Sequence, residues 1–208
     1  VKELELWTAE NPDQSFVSEN AFLTKLESSA GILMDAADKT VTENSRFDGN
    51  GALSASVDGD TATSVDVYGA LDWNPPKYVG AKYALTEAVY AGEIKIYSGF
   101  DAYTETYDVY ASDREDNLFD SENMVGSGIV CGDSAKTVMV DKTVQYVAFV
   151  CTEYNGNMRV KEFELWTGDE SSNSGEFVSE NILASDTESA VGVLMNKSTA
   201  AVTANTKF

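Results

Sequence analysis

The chain has 208 residues, with 35 Asp or Glu against 14 Lys or Arg, no His and two Cys, for a formal charge of −21. That excess of acid excludes a nucleic-acid binder and an anionic membrane surface as partner, since both need clustered Lys and Arg. The absence of His removes the usual general base and the commonest zinc ligand, and no run of eighteen apolar residues offers a membrane span.

The first element, VKELELWT at 1–8, alternates Leu4 and Leu6 with Glu3 and Glu5 and predicts a strand over 2–7. It returns as VKEFELWT at 160–167, an offset of 159 residues. FVSEN at 16–20 returns as FVSEN at 177–181, and GILM at 31–34 as GVLM at 192–195, both at an offset of 161. Val41, Thr42, Asn44 and Phe47 match Val202, Thr203, Asn205 and Phe208. A repeat of this length is a whole domain, longer than any solenoid unit. The polar stretches ENPDQS and GDESSNSGE read as joints. The expected organisation is therefore the last strand of one unit at 1–8, a linker at 9–15, a complete unit at 16–168, a linker at 169–176 and the start of a further unit at 177–208.

Within the complete unit, short strands are predicted at 32–34 and 39–42, with turns at 47–51 (FDGNG) and 58–60 (DGD). Further strands follow at 78–85, 93–97, 107–112, 125–131, 136–140, 145–152 and 158–166. The stretch 112–123 reads as mostly loop with at most one helical turn, and no long amphipathic helix competes. Short strands separated by Gly, Asp and Asn at this spacing define an all-β fold, an antiparallel β-sandwich. Cys131 and Cys151 each end an apolar run, which makes buried free thiols the favoured reading and leaves a disulfide open.

The motifs ASVDGDTATSV (55–65), KYVGAKYAL (77–85), EIKIYSG (93–99), ETYDVYASD (105–113) and QYVAFVCTEYNGNMRVKEFELW (145–166) occur in one order. They resemble the DGD-x-x-T segment, the DLG-like strand end, the paired strands leading into Y-x-V-x-x-S, and the RYV-x-L and E-L-E strands of the discoidin domain. This domain is also called the coagulation-factor type C domain, and its group includes carbohydrate-binding modules with a galactose-binding-like jelly-roll fold. The resemblance covers 16–167 and departs at Gln145, Ala148 and Lys82, and at the family Trp after DGD-x-x-T, whose slot only Trp73 could fill.

The resemblance implies a structural calcium between the DGD turn and the closing strand, which by position points to Asp58, Asp60, Thr63 and Glu162. The chemistry is reasonable, because an acidic turn and a remote Glu offer the oxygen ligands a hard cation takes. The bland alternative is a plain tight turn, just as the acidity as a whole can be a solvated exterior. The resemblance also implies a saccharide site on loops at one end of the sandwich. There Trp73, Phe100, Asp101, Tyr103, Tyr154 and Asn155 supply aromatic rings to stack on a pyranose face beside groups that pair with hydroxyls. The competing reading has these rings plug the open end of the sandwich, and it is favoured for Trp73. Trp7 and Trp166, at the ends of equivalent strands, are expected to pack at the joints.

No carboxylate pair or nucleophile stands out, so an enzyme is not expected. The leading expectation is a non-catalytic carbohydrate-binding or adhesion module in a tandem-repeat extracellular or surface protein, with a glycan as partner and avidity from repetition. The alternative is a structural repeat that forms a spacer or filament through strand contacts with neighbouring repeats or copies of itself.

Overall fold

Strand formation follows the β-branched and aromatic runs, and in the computed structural model these runs are longer and more bent than the sequence predicts. The structure describes residues 16–45, 47–49, 52–68, 77–98, 105–132, 134–152, 157–170, 192–196 and 201–205. The chain divides into two units, one of Phe16–Asn173 and one of Val1–Ser15 with Ser174–Phe208.

Among its described residues the larger unit holds a short helix α1 (Ala21–Lys25) and nine strands: β1 (Leu26–Asp35), β2 (Val41–Asn44), β3 (Phe47–Gly49), β4 (Val65–Tyr68), β5 (Lys77–Ser98), β6 (Glu105–Ser112), β7 (Met124–Cys131), β8 (Lys136–Cys151) and β9 (Asn157–Thr167). All pairs are antiparallel. The stretches 78–85 and 93–97, predicted as separate strands, are one strand β5, and 136–140 and 145–152 are likewise joined in β8. Both cross from one layer to the other. The first half of β5 pairs with β1 and with the end of β8, and its second half pairs with β9 and with the start of β8. The register slips between Ala84 and Val89, where Thr86, Glu87 and Ala88 are exposed at the corner. One layer thus runs β2-β1-β5-β8-β6-β7 and the other β3-β4-β9-β5-β8. The turn expected at 47–51 is corrected: Phe47–Gly49 extends and pairs with β4, a strand the sequence reading omitted.

The two layers enclose one core of aliphatic and aromatic side chains. Phe163 of β9 stacks on Phe149 of β8 with centroids 3.7 Å apart, and Tyr83 and Tyr107 meet Phe163 edge-on. Along β8, Val147, Phe149 and Cys151 enter this core while Tyr146, Ala148 and Val150 turn to a second cluster with Ile32, Met34, Tyr110 and Leu118. Both faces being covered, the run reads as continuously apolar instead of alternating. Gly80 on β5 admits no side chain, since a Cβ there would lie 2.4 Å from the Phe149 carbonyl oxygen. Cys131 and Cys151 are buried thiols not joined by a disulfide. They sit on β7 and β8 with β6 between them, about 10 Å apart at the strand spacing, too far for a disulfide.

Of the second unit the structure describes the hairpin β10 (Gly192–Asn196) and β11 (Ala201–Asn205). Its register, Gly192 opposite Asn205 through Met195 opposite Val202, matches Gly31 opposite Asn44 through Met34 opposite Val41 position for position. The strand expected at 2–7 lies outside the described residues. Among the described residues, no helix is long and apolar enough to cross a membrane.

Candidate functional site

The ends of the larger unit differ in character. At one end the chain enters and leaves. The Thr167 N–H donates to the Glu19 carbonyl at 2.9 Å, and Ser18 and Glu19 bond back to Thr167. The Asn20 side chain joins the same end, accepting from Phe22 N–H in α1 and from Leu165 N–H in β9. Trp166 lies half-buried there, its ring under the Lys95 ammonium and its Nε1–H on Glu164.

At the other end the strands turn into the segments 69–76, 99–104 and 153–156. Tyr68, which ends β4, is opposite Asn157, which opens β9. Cys151, which ends β8, is opposite both Val79 and Tyr107. Ser98, which ends β5, is opposite Val160. The stems of all three segments therefore leave from one end of the sandwich. Trp73, Phe100, Asp101, Tyr103, Tyr154 and Asn155 belong to these segments and lie outside the described residues. Beside the stems, a cavity of about 180 Å³ is lined by Thr61, Tyr97, Ser98, Ser134 and Lys161.

The stems share a polar network that the sequence reading missed. Glu105, the first residue of β6, is buried among the hydroxyls of Ser98 and Tyr107 and the backbone N–H of Arg159. The Arg159 guanidinium grips both carboxylate oxygens of the buried Asp66. Burial pushes the Glu105 carboxyl up, against the hydrogen bonds that favour its ionised form. Nothing in the local sequence sets Glu105 apart, since β6 also carries Thr106, Asp108 and Ser112.

Asp58, Asp60, Thr63 and Glu162 come together in part. A 3₁₀ turn (Leu53–Val57) delivers the chain to the DGD bend, where Gly59 takes φ +83°, a left-handed conformation that favours glycine. Glu162 on β9 reaches this bend and accepts the Gly59 N–H on Oε1 at 3.0 Å. Its side chain is fully buried, and among the described residues Oε2 has no hydrogen-bond partner. Burial, with the Asp58 and Glu164 charges adding to it, raises the Glu162 carboxyl from 4.5 to about 7. Asp58 and Asp60 each accept a backbone N–H two residues ahead, and the Thr63 hydroxyl donates to the Asp60 carbonyl at 2.9 Å. Among the described residues, no three His, Cys, Asp or Glu side chains are gathered as a metal site. Backbone carbonyls and the Thr63 hydroxyl would have to complete any ligand set. The donors are all oxygen, and an orphaned buried carboxylate oxygen beside an acidic bend is the setting a hard cation relieves.

The larger unit shares its β-sandwich fold with solved carbohydrate-binding modules, one of them of family 32. The chitosan-binding module 1 of a chitosanase/glucanase from Paenibacillus sp. IK-5 is 16% identical, with a TM-score of 0.51 over 71% of this chain and 98% of that one. The CBM32-1 and CBM32-2 domains of Clostridium perfringens ZmpB, in complex with GalNAc, are 15% identical with a TM-score of 0.52, over 71% of this chain and 35% of theirs. A fucose binding module of Streptococcus pneumoniae is 16% identical with a TM-score of 0.50, over 73% and 96%. No family model and no curated protein sequence matches the chain.

Proposed function

We propose that the unit Phe16–Asn173 is a non-catalytic carbohydrate-binding module of an extracellular tandem-repeat protein, and that it carries a structural calcium. The observation that carries the reading is the convergence of the stems of 69–76, 99–104 and 153–156 at one end of a fold shared with carbohydrate-binding modules. Those segments hold Trp73, Phe100, Tyr103 and Tyr154 for stacking, with Asp101 and Asn155 for hydroxyls. Glu162, Asp58, Asp60 and Thr63 would hold the calcium, which neutralises a buried carboxylate and ties the closing strand to the bend.

Glycan-array binding with the whole chain tests the sugar reading, followed by calorimetry on Tyr103→Ala and Tyr154→Ala. Binding at micromolar to millimolar affinity, weakened about tenfold by either substitution through loss of a stacked ring, is expected. Binding that neither substitution alters would overturn it.

A structural repeat is the second reading, and the matching registers of β1–β2 and β10–β11 favour it. Sedimentation velocity separates the two: a spacer that assembles through repeat contacts grows in size with concentration, without sugar.

A further inference from the structure

We propose that Glu105 is a positioning residue, holding the stems of the three ligand segments in one arrangement. This rests on the carbohydrate-binding reading above for its purpose, although the clamp itself stands on hydrogen bonds among described residues.

Glu105 directly follows segment 99–104 and is 4% exposed. Its Oε2 accepts from Ser98 Oγ at 3.0 Å, which closes the base of that segment, and also from the Tyr107 hydroxyl. Its Oε1 accepts the Arg159 backbone N–H at 2.8 Å, just past segment 153–156. The Arg159 side chain extends the link to Asp66, two residues before β4 ends at segment 69–76. One carboxylate therefore reaches a stem of each segment, directly or through a single neighbour.

Strand pairing cannot make this connection. In the sheet order β6 lies in one layer and β9 in the other, so the Glu105–Arg159 bond crosses the sandwich at its loop end. A carboxylate suits the task because it only accepts and has room for three donors from three places. A buried acid is weak evidence for stability, since an apolar residue of similar size often serves as well. What Glu105 supplies among Ser98, Tyr107 and Arg159 is the geometry it imposes on the segment bases, as outer groups orient ligand-contacting ones.

The test uses the whole chain with Glu105→Leu and Glu105→Gln. Gln can accept from Arg159 N–H and donate to the two hydroxyls, so it rescues the clamp; Leu strands all three donors. Two readouts are taken: amide hydrogen exchange, and calorimetric titration with galactose, N-acetylgalactosamine and fucose at tens of millimolar. Glu105→Leu is expected to speed exchange about tenfold or more in the stem segments 105–107 and 157–160, Arg159 N–H among them, while 79–84 and 147–150 stay protected. Any measured sugar affinity is also expected to fall about tenfold, with Gln within about threefold of the parent in both readouts. Unchanged exchange in those segments overturns the proposal, as does undiminished affinity in a Glu105→Leu chain. Parental chain that binds none of the three sugars counts against the carbohydrate reading for them and leaves the exchange result to decide the clamp. If Glu105→Leu unfolds the chain, Ser98→Ala decides: faster exchange confined to 97–98 and 105–107 supports the clamp, and parental exchange there refutes it.

Discussion

Replacing Glu162 by Gln should move stability in opposite directions with and without calcium. The side chain is fully buried, one oxygen takes the Gly59 N–H at 3.0 Å, and the other has no hydrogen-bond partner among the described residues. Its carboxyl is raised from 4.5 to about 7, chiefly by burial. Between those values the folded chain keeps a proton that the unfolded chain releases. The stabilisation from this group is thus full below about pH 4.5 and is lost as pH climbs through about 7. The loss comes to roughly 3 kcal/mol, at about 1.4 kcal/mol per pH unit. Gln has no charge to bury and can keep the Gly59 bond. In EDTA at pH 8, Glu162→Gln should therefore be the more stable chain by roughly 1–3 kcal/mol, allowing for one unpaired amide N–H. In a chain of this size each kcal/mol is about 2–4 °C in Tm. Saturating calcium should reverse the order, because binding at about 1,000 times Kd adds roughly 4.1 kcal/mol to the parent alone. Scanning calorimetry at pH 5 and pH 8, with EDTA and with millimolar calcium, reads all of this. A parental Tm indifferent to calcium would refute the cation. A Glu162→Gln chain weaker than the parent in EDTA at pH 8 would refute the unmet burial cost.

Three further outcomes follow from the packing. Gly80→Ala should cost about 3 kcal/mol or more in urea unfolding, because its Cβ meets the Phe149 carbonyl oxygen at 2.4 Å and two paired strands must separate; a loss below about 1 kcal/mol would mean the strands yield freely. Asn20→Ala should cost about 2 kcal/mol, since one Oδ1 caps α1 at Phe22 N–H and also receives Leu165 N–H; an unchanged melting curve would contradict that double role. Cys131 and Cys151 should resist a thiol reagent in the native chain and both react in denaturant, because they are buried and burial pushes the Cys131 thiol up to about 12; native labelling would show that the core opens.

Much of the fold is legible along the chain because strand runs and turn residues alternate at short spacing. Ile32, Met34, Tyr107 and Phe149 fall on strands where the β-branched and aromatic pattern puts them. What the pattern cannot reveal is continuity across a corner. Thr86, Glu87 and Ala88 read as a break between strands, yet the ladder resumes beyond them with a slipped register. FDGNG reads as a turn from its Gly and Asp, but pairing with β4 draws Phe47–Gly49 into the sheet, a tertiary contact overriding local preference. The bend at Asp58 and its distant partner Glu162 were reached through the resemblance, because 103 residues separate Gly59 from Glu162 and nothing local ties them. Glu105 escaped notice for a related reason: its partners Ser98 and Arg159 come from strands in different places, and only the closed sandwich brings them to one carboxylate.

The most direct test of a sugar site at the loop end is a two-dimensional amide spectrum of the isotopically labelled chain, titrated with the best ligand from the glycan array. Shifts confined to 69–76, 99–104 and 153–156 and their stems at Tyr68, Ser98, Glu105 and Asn157 are expected. Shifts centred instead on Ser18, Glu19 and Thr167, where the chain enters and leaves the unit, would contradict a site at the loop end.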